Sequence, residues 1–387
     1  MIKNYFKIAI RNFRRHKLFT FINIIGLSIG ISAALVIFLI VYHDFTFDKF
    51  EKDGNRIYRV VSDYNYSGER FYNGGVTGPL PDAVKNEVTG LEASVPYFTQ
   101  TYNVIVPGKN RSKFKNVDNI VYADQRYFNL LQYKWLAGSA KTSLNAPFQV
   151  VLTSRQAQKY FPSLTYEQML GKQVLYADSI RTTVTGIIAE PTENTDFTFH
   201  DFISFSSIKS IKDMEQQMTD WGGTTSNFQF FVKLAPASSV QGIEKQLRHI
   251  LLKYEPDQAK PGGYKVNFRL QPLSDIHFND HYGAINNATA NKTTLYGLIV
   301  IAVFLLILGC INFINLTTAQ ASQRAKEIGI RKTMGSSRLQ LVGQFLSETF
   351  MITLLAVIIS MALVPVVLHL FSDVISPDVK FNLFEHP

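Results

Sequence analysis

Apolar and polar positions are distributed very unevenly along this chain. Nothing from Leu18 to Tyr42 is charged, nothing from Thr293 to Gln323 is charged, and Thr349 to Ser372 carries only His369. A helix needs about 20 residues to cross roughly 30 Å of hydrocarbon, and each run is long enough. The pattern therefore predicts three transmembrane helices, over 18–42, 293–317 and 349–372. The first run follows a basic start, as a signal peptide does, but it exceeds the usual apolar region of about 7–15 residues and no A-x-A site or lipobox cysteine follows it. It is read as a retained span. Ahead of it, Ile2, Phe6, Ala9, Ile10 and Phe13 share one helical stripe while Lys3, Lys7, Arg11, Arg14 and Arg15 take the other, the pattern of an interfacial amphipathic helix over 1–17. Gly26, Ser28, Gly30, Ser32 and Ala33 cluster within the first run, which points to close packing against another helix.

Between the first two runs, short strand-like and helix-like segments alternate. Arg56–Tyr64, Phe148–Thr153, Arg181–Ala189, Asn227–Leu234 and Tyr264–Leu273 read as strands. Pro81–Val88, Ser154–Phe161 with Ser154 as its cap, and Ser238–Tyr254 opened by a serine cap read as helices. The segment 43–292 is thus expected to be a large α+β domain in two lobes. Its aromatic residues nearest the first span, Phe45, Phe47, Phe50 and Tyr58, suit the membrane interface.

Charge then sets orientation. The first 17 residues carry Lys3, Lys7, Arg11, Arg14, Arg15 and Lys17 with no acid. The 318–348 loop carries Arg324, Lys326, Arg331, Lys332 and Arg338 against Glu327 and Glu348. By the positive-inside rule both face the cytoplasm, which places 43–292, with 27 basic and 25 acidic residues, outside. Most of the formal +9 is accounted for by topology, and a nucleic-acid partner is not indicated. The single Cys310 permits no disulfide within the chain, so the outer domain must rely on its own core.

Candidate chemistry changes little. The Gly-Lys pairs at Gly108-Lys109 and Gly171-Lys172 are followed by Asn110 and Gln173, which does not fit a Walker A loop, so ATP chemistry would come from another chain. Ser206-Ser207-Ile208-Lys209 is a formal S-x-x-K without the companion motifs of serine acylation. Asp275, His277, Asp280 and His281 have donor atoms of metal-ligand type, but a solvated juxtamembrane turn is the reading adopted.

The basic loop is more informative. Between Arg324 and Gln344, Ile328, Ile330, Met334, Leu339, Leu341 and Val342 surround Arg331, Lys332 and Arg338, and Gly335-Ser336-Ser337 interrupts the run. This predicts a short helix ending near Met334, a glycine turn, and a serine-capped helix entering the third span. Apolar residues interleaved with cations suit a partner's groove, which topology anchoring alone would not require.

These residues resemble the MacB/FtsX-type ABC transporter permeases. KEIGIRKTMGSSRLQLVGQFLSET is similar to that family's cytoplasmic segment, and YFKIAIRNFRRHKLFTFINIIGLSIGISAALVIFL to its interfacial helix and first span. Asp48-Lys49-Phe50, Arg56-Ile57-Tyr58-Arg59-Val60, VLTSRQAQKYF, VTGIIAEP and LQPLSDIHF resemble successive pieces of its periplasmic core domain. The resemblance implies a multi-pass inner-membrane permease subunit with a cytoplasmic N-terminus and a periplasmic domain. It implies a partner cytoplasmic ABC ATPase that uses ATP, no cofactor on this chain, a permease dimer or pseudo-dimer, and in some members a periplasmic adaptor. Carried over by motif, Glu327, Ile328, Gly329, Arg331, Lys332 and Gly335 form the contact with the ATPase. The implied mechanism is mechanotransmission, serving export of peptides or drugs or release of lipoproteins. Since the chain starts at the interfacial helix, its ATPase is expected on a separate polypeptide. Since it stops at FNLFEHP after three spans, with an extracytoplasmic tail over 373–387, it is expected to be a truncated chain or the N-terminal half of a longer permease. The competing readings are a membrane-bound receptor with an external ligand-binding domain, which lacks a cytoplasmic output module, and a tethered enzyme, which lacks a catalytic constellation.

Overall fold

The computed structural model describes residues 11–15, 17–108, 112–260, 264–286, 289–335 and 337–381; for 321–324, 326, 327 and 331 it describes the backbone alone. Most of the interfacial helix expected over 1–17 lies outside the described residues, of which 11–15 are helical. The chain forms two units: Met1–Phe45 with Asn291–Pro387, and Thr46–Ala290.

The first unit contains three helices long and apolar enough to cross a membrane, Lys17–Phe45, Lys292–Thr333 and Arg338–Leu370. Side chains of minimal size let the first approach the other two. A Cβ on Gly30 would lie 3.3 Å from the Leu305 carbonyl oxygen, and one on Gly26 3.0 Å from Asn312 Nδ2. Toward the third helix, the Ser28 hydroxyl donates to the Ala356 carbonyl at 3.1 Å and the Ser360 hydroxyl faces the Ser28 carbonyl at 3.0 Å. The packing expected of the Gly/Ser cluster is present. The second helix exposes Val300, Phe304, Ile307 and Ile314, a surface suited to hydrocarbon or to a further helix.

The second unit is built on one eleven-stranded sheet: β1 (Ile57–Tyr66), β2 (Glu69–Asn73), β3 (Leu91–Val106), β4 (Ser112–Ala123), β5 (Trp135–Ala137), β6 (Gln149–Thr153), β7 (Gln173–Tyr176), β8 (Ile180–Ile188), β9 (Asp201–Ser204), β10 (Phe228–Leu234) and β11 (Tyr264–Pro272). Their order is β11-β1-β10-β3-β4-β9-β6-β8-β5, with β2 on β1 and β7 bridging β3 and β8. Pairing is antiparallel except at β4–β9 and β6–β8. Side chains on a strand alternate between faces, and here both faces are covered. On β10, Phe228, Phe230 and Val232 enter one core while Phe231 enters the other; on β4, Ile120 and Tyr122 oppose Val121 and Ala123 in the same way. Burial on both sides explains why FQVVLT reads as a continuous apolar run instead of alternating. The smaller core is rich in rings: Tyr97 stacks on Phe231 at 5.7 Å, and Phe128 meets Phe202 at 5.1 Å.

Three expectations are corrected. The two lobes are replaced by a single sheet with a core on each face, because β4, β9 and β6 hydrogen-bond across the division. Ser154 is the first residue of its helix, not the cap; Thr153 is the cap, without a side-chain bond. The strand read through Leu273 ends at Pro272, and Leu273 opens a short helix to Ile276. The outer edge of β11 is blunted, since Glu244 accepts from the Leu270 N–H and Gln258 from the Val266 N–H, satisfying groups that would otherwise invite edge pairing.

Arg59 anchors one end of this sheet. Its guanidinium is 1% exposed and bonds the carbonyls of Gly74 and Gly283 and the side chain of Gln229. The neighbouring turn admits no side chain: a Cβ on Gly75 would lie 1.8 Å from the Thr225 carbonyl oxygen. Gly75→Ala is therefore expected to cost about 3 kcal/mol through overpacking. Urea unfolding followed by the fluorescence of Trp135 and Trp221, both in this unit, measures it.

Candidate functional site

The loop between the second and third helices is folded as a sharp knuckle. The second helix opens on Asn291, whose side chain accepts from the Thr293 and Thr294 N–H groups at 2.8 and 3.1 Å, and runs unbroken for 42 residues. At 1.5 Å per residue that is about 63 Å, twice the hydrocarbon thickness. The uncharged run ends at Gln323. The separate short helix expected near Met334 is therefore the continuation of the second span, because nothing between Gln320 and Thr333 breaks helical hydrogen bonding.

The helix stops where Met334 N–H bonds the Ile330 carbonyl at 3.1 Å and Gly335 N–H the Lys332 carbonyl at 3.2 Å. Gly335 then takes φ +93°, a conformation that glycine adopts without strain. Two residues on, Ser337 and Gln340 form a reciprocal capping box: Ser337 Oγ accepts from the Gln340 N–H at 3.4 Å, and Gln340 Oε1 from the Ser337 N–H at 3.0 Å. Around this turn Ile330, Met334 and Leu339 are 54%, 81% and 86% exposed, and Lys332 and Arg338 are exposed beside them. Of the six residues singled out, Gly329, Lys332 and Gly335 are exposed and Ile328 half-buried; the side chains of Glu327 and Arg331 lie outside the described residues.

Gln344 and Glu348 were not among the predicted contact residues. Both are buried, one turn apart, with Gln344 Nε2 3.1 Å and Asn12 Nδ2 2.7 Å from Glu348 Oε1. They begin a stripe continued by Ile352, Ala356, Ser360 and Val364, the buried face of the third helix. Its four-residue repeat was readable in the sequence, but only if polar residues were admitted to the buried face.

In the second unit, motifs far apart in sequence meet at one place. Asp48 bonds Thr195 Oγ1 at 2.5 Å and faces the Asp196 N–H at 3.3 Å; Asp196 Oδ1 lies 2.9 Å from His277 Nδ1; the His277 ring stacks on Phe47 at 3.6 Å. His277 is thus a core residue, which corrects the solvated turn at that position, since Phe47 covers its ring and Asp196 holds its nitrogen; Asp280 and His281 are exposed as expected. The half-buried Phe47 ring is thus packed on His277 within this unit. Among the described residues no three His, Cys, Asp or Glu side chains converge as metal ligands. Burial, reinforced by Asp196, raises the Asp48 carboxyl to about 7. Burial and the neighbouring Asp48 raise Glu51 to about 7 as well. Glu51 lines a cavity of about 410 Å³ with Tyr133, Glu190, Glu193 and Phe197. Ser206, the serine of the S-x-x-K, is exposed and shares a hydroxyl–hydroxyl hydrogen bond with Ser204 at 2.9 Å, while Ser207 beside it is buried and accepts from the Phe148 N–H at 2.8 Å.

Three membrane-capable helices and a large mixed α+β domain inserted after the first define a membrane protein of permease architecture. Residues 20–250 match the MacB-like periplasmic core domain, and residues 299–386 the FtsX-like permease C-terminal domain. The chain belongs to the MacB/FtsX-type ABC permeases. Seventy-one residues are 39% identical to the uncharacterized ABC transporter permease YknZ of Bacillus subtilis, over 18% of this chain and 17% of that protein. A stretch of 134 residues is 38% identical to the macrolide export ATP-binding/permease protein MacB of Campylobacter jejuni, over 33% of this chain and 21% of that protein. The chain thus matches about a fifth of the length of these relatives. A permease domain from Porphyromonas gingivalis is similar in structure, with TM-score 0.50 and 16% identity, over 65% of this chain and 99% of that one; it bears on the fold alone.

The capping box makes a local prediction. Ser337→Ala removes the side-chain acceptor and is expected to destabilise the start of the third helix by about 1 kcal/mol. Faster amide exchange at residues 338–341 in lipid nanodiscs, with exchange in β10 unchanged, is the expected result.

Proposed function

We propose that this chain is the non-catalytic membrane permease subunit of an ABC transporter, and that the knuckle at 318–348 is where a separate cytoplasmic ABC ATPase docks. The observation that carries this reading is the exposed set of Ile330, Met334 and Leu339 interleaved with Lys332 and Arg338 on a rigidly capped turn. Apolar anchors give a partner's groove something to enclose, and the cations steer and orient the encounter. Glu327, Ile328, Gly329, Arg331, Lys332 and Gly335 complete the contact surface in this reading. The unbroken helix from the knuckle to Lys292 gives a displacement at the turn a stiff element to act on.

ATP is bound and hydrolysed by the partner, and this chain carries no cofactor of its own. Work done at the knuckle reaches the outer domain as mechanotransmission, in a dimer or in a pseudo-dimer with a second permease half, with or without a periplasmic adaptor. Setting in the inner membrane, with the N-terminus cytoplasmic, follows from the cations flanking the spans. The named macrolide exporter among its relatives supports an efflux role; peptide export and lipoprotein release fit the same mechanics.

The test is co-purification of the detergent-solubilised chain with a candidate ATPase, comparing wild type with the Arg331→Glu, Lys332→Glu double variant. Close interfacial charge pairs are worth about 1.5–7 kcal/mol, so at least tenfold weaker binding is expected. Equal binding by correctly inserted wild type and variant would show that the loop is only a topology anchor.

A further inference from the structure

The segment Thr46–Glu51 directly follows the first apolar helix, and Thr46, Asp48, Lys49 and Glu51 in it are held by hydrogen bonds. Asp48 N–H donates to the Asn194 carbonyl at 2.9 Å, Asn194 Nδ2 to Thr46 Oγ1 at 2.8 Å, and Thr195 Oγ1 to Asp48 Oδ1 at 2.5 Å. Behind this pair Asp196, 1% exposed, connects through its carboxylate to His277, whose ring Phe47 covers. Three chain segments, 46–51, 194–197 and the one ending the 273–276 helix, are thus joined through two carboxyl groups whose residues are 5% and 1% exposed. Asp48 also holds φ +53°, a left-handed conformation that Asp and Asn tolerate better than other side chains.

The geometry sets like charges against each other. Asp48 faces Asp196 and His277; Glu51 faces Asp48 and Glu193 and accepts from the Gln132 backbone; Asp196 also acts on Arg59 of β1 and Tyr97 of β3; Tyr133 faces Glu51, Asp48 and Glu190. The Arg59 guanidinium is occupied by the Gly74 and Gly283 carbonyls and by Gln229, and His277 is held on Asp196 at 2.9 Å. We propose that the Asp48–Asp196–His277 cluster is a proton-operated clasp, closing the segment after the first apolar helix onto the 189–199 loop in acid and releasing it at neutral to alkaline pH.

The direction follows from linkage. Asp48 holds its proton up to about pH 7 when the clasp is closed, against 3.8 for a free carboxyl. A raised acid favours the closed form increasingly as pH falls through 7, by up to about tenfold per unit, levels off near the free value, and contributes nothing above 7. Glu51 responds in the same sense.

The test is hydrogen exchange by mass spectrometry on the full chain in lipid nanodiscs at pH 6 and pH 8, with rates corrected for intrinsic chemistry. Peptides covering 46–52 and 193–198 are expected to open about tenfold more at pH 8 than at pH 6, while β10 peptides stay unchanged. Asp48→Asn keeps the left-handed preference and fixes the neutral form, and should hold these peptides closed at both pH values. Unchanged fluorescence of Trp135 and Trp221 checks that the variant is folded. Equal opening of wild type at both pH values, or a pH response that persists in Asp48→Asn, overturns the proposal. A response kept in Asp48→Asn but lost in Glu51→Gln overturns it in favour of the cavity carboxylate.

Discussion

Hydrocarbon offers no water to a peptide group, so every backbone N–H and C=O that crosses it must be paired within the chain itself. That constraint underlies the rest of this structure. It makes the three apolar runs helices without exception, and it requires everything irregular to lie between them. Polar side chains in the spans are handled by the same logic. Ser28, Ser32 and Ser360 turn their hydroxyls onto carbonyls of their own or the facing helix. Glu348 is received by Gln344 and Asn12. Close approach at Gly26 and Gly30 then lets dispersion forces hold helices that the hydrophobic effect cannot drive together in lipid.

The outer domain obeys the opposite rule, since water surrounds it and apolar burial drives it. A single sheet with a core on each face uses its aromatic wealth efficiently: the rings of Tyr97, Tyr127, Phe128, Phe199, Phe202 and Phe231 meet one another at one face, and such pairs add about 0.5–1.5 kcal/mol each beyond their area. The buried charges at its root run against that economy. Arg59, Asp48, Asp196 and His277 are buried where desolvation opposes their charge, so their pairing is a weak source of stability. They stand where the chain enters the domain and close to where it leaves.

Much of this was readable from residues alone. The spans, the α+β class and most strand centres followed from periodicity, and the glycine turn with its serine cap followed from local chemistry, because φ and capping preferences act within four residues. Apart from one-residue boundary shifts at Ser154 and Leu273, the errors were non-local. A two-lobe division misjudged β4, β9 and β6, whose pairing joins residues up to 81 positions apart. His277 was placed in solvent because Phe47 and Asp196, which bury it, are 230 and 81 positions away in sequence. Gln344 and Glu348 were passed over because a polar pair on a span's buried face has no meaning until Asn12 is brought beside it.

The sequence by itself determined where the chain is helical in lipid, which segments carry the cations, and where the knuckle bends, since hydropathy, charge and capping are properties of short windows. Only the tertiary structure decided that the second span continues unbroken into that knuckle, that one sheet holds the outer domain together, and that two carboxylates and a histidine from three separate segments share one buried site. Those outcomes depend on which distant surfaces exclude water together, and no local pattern encodes that.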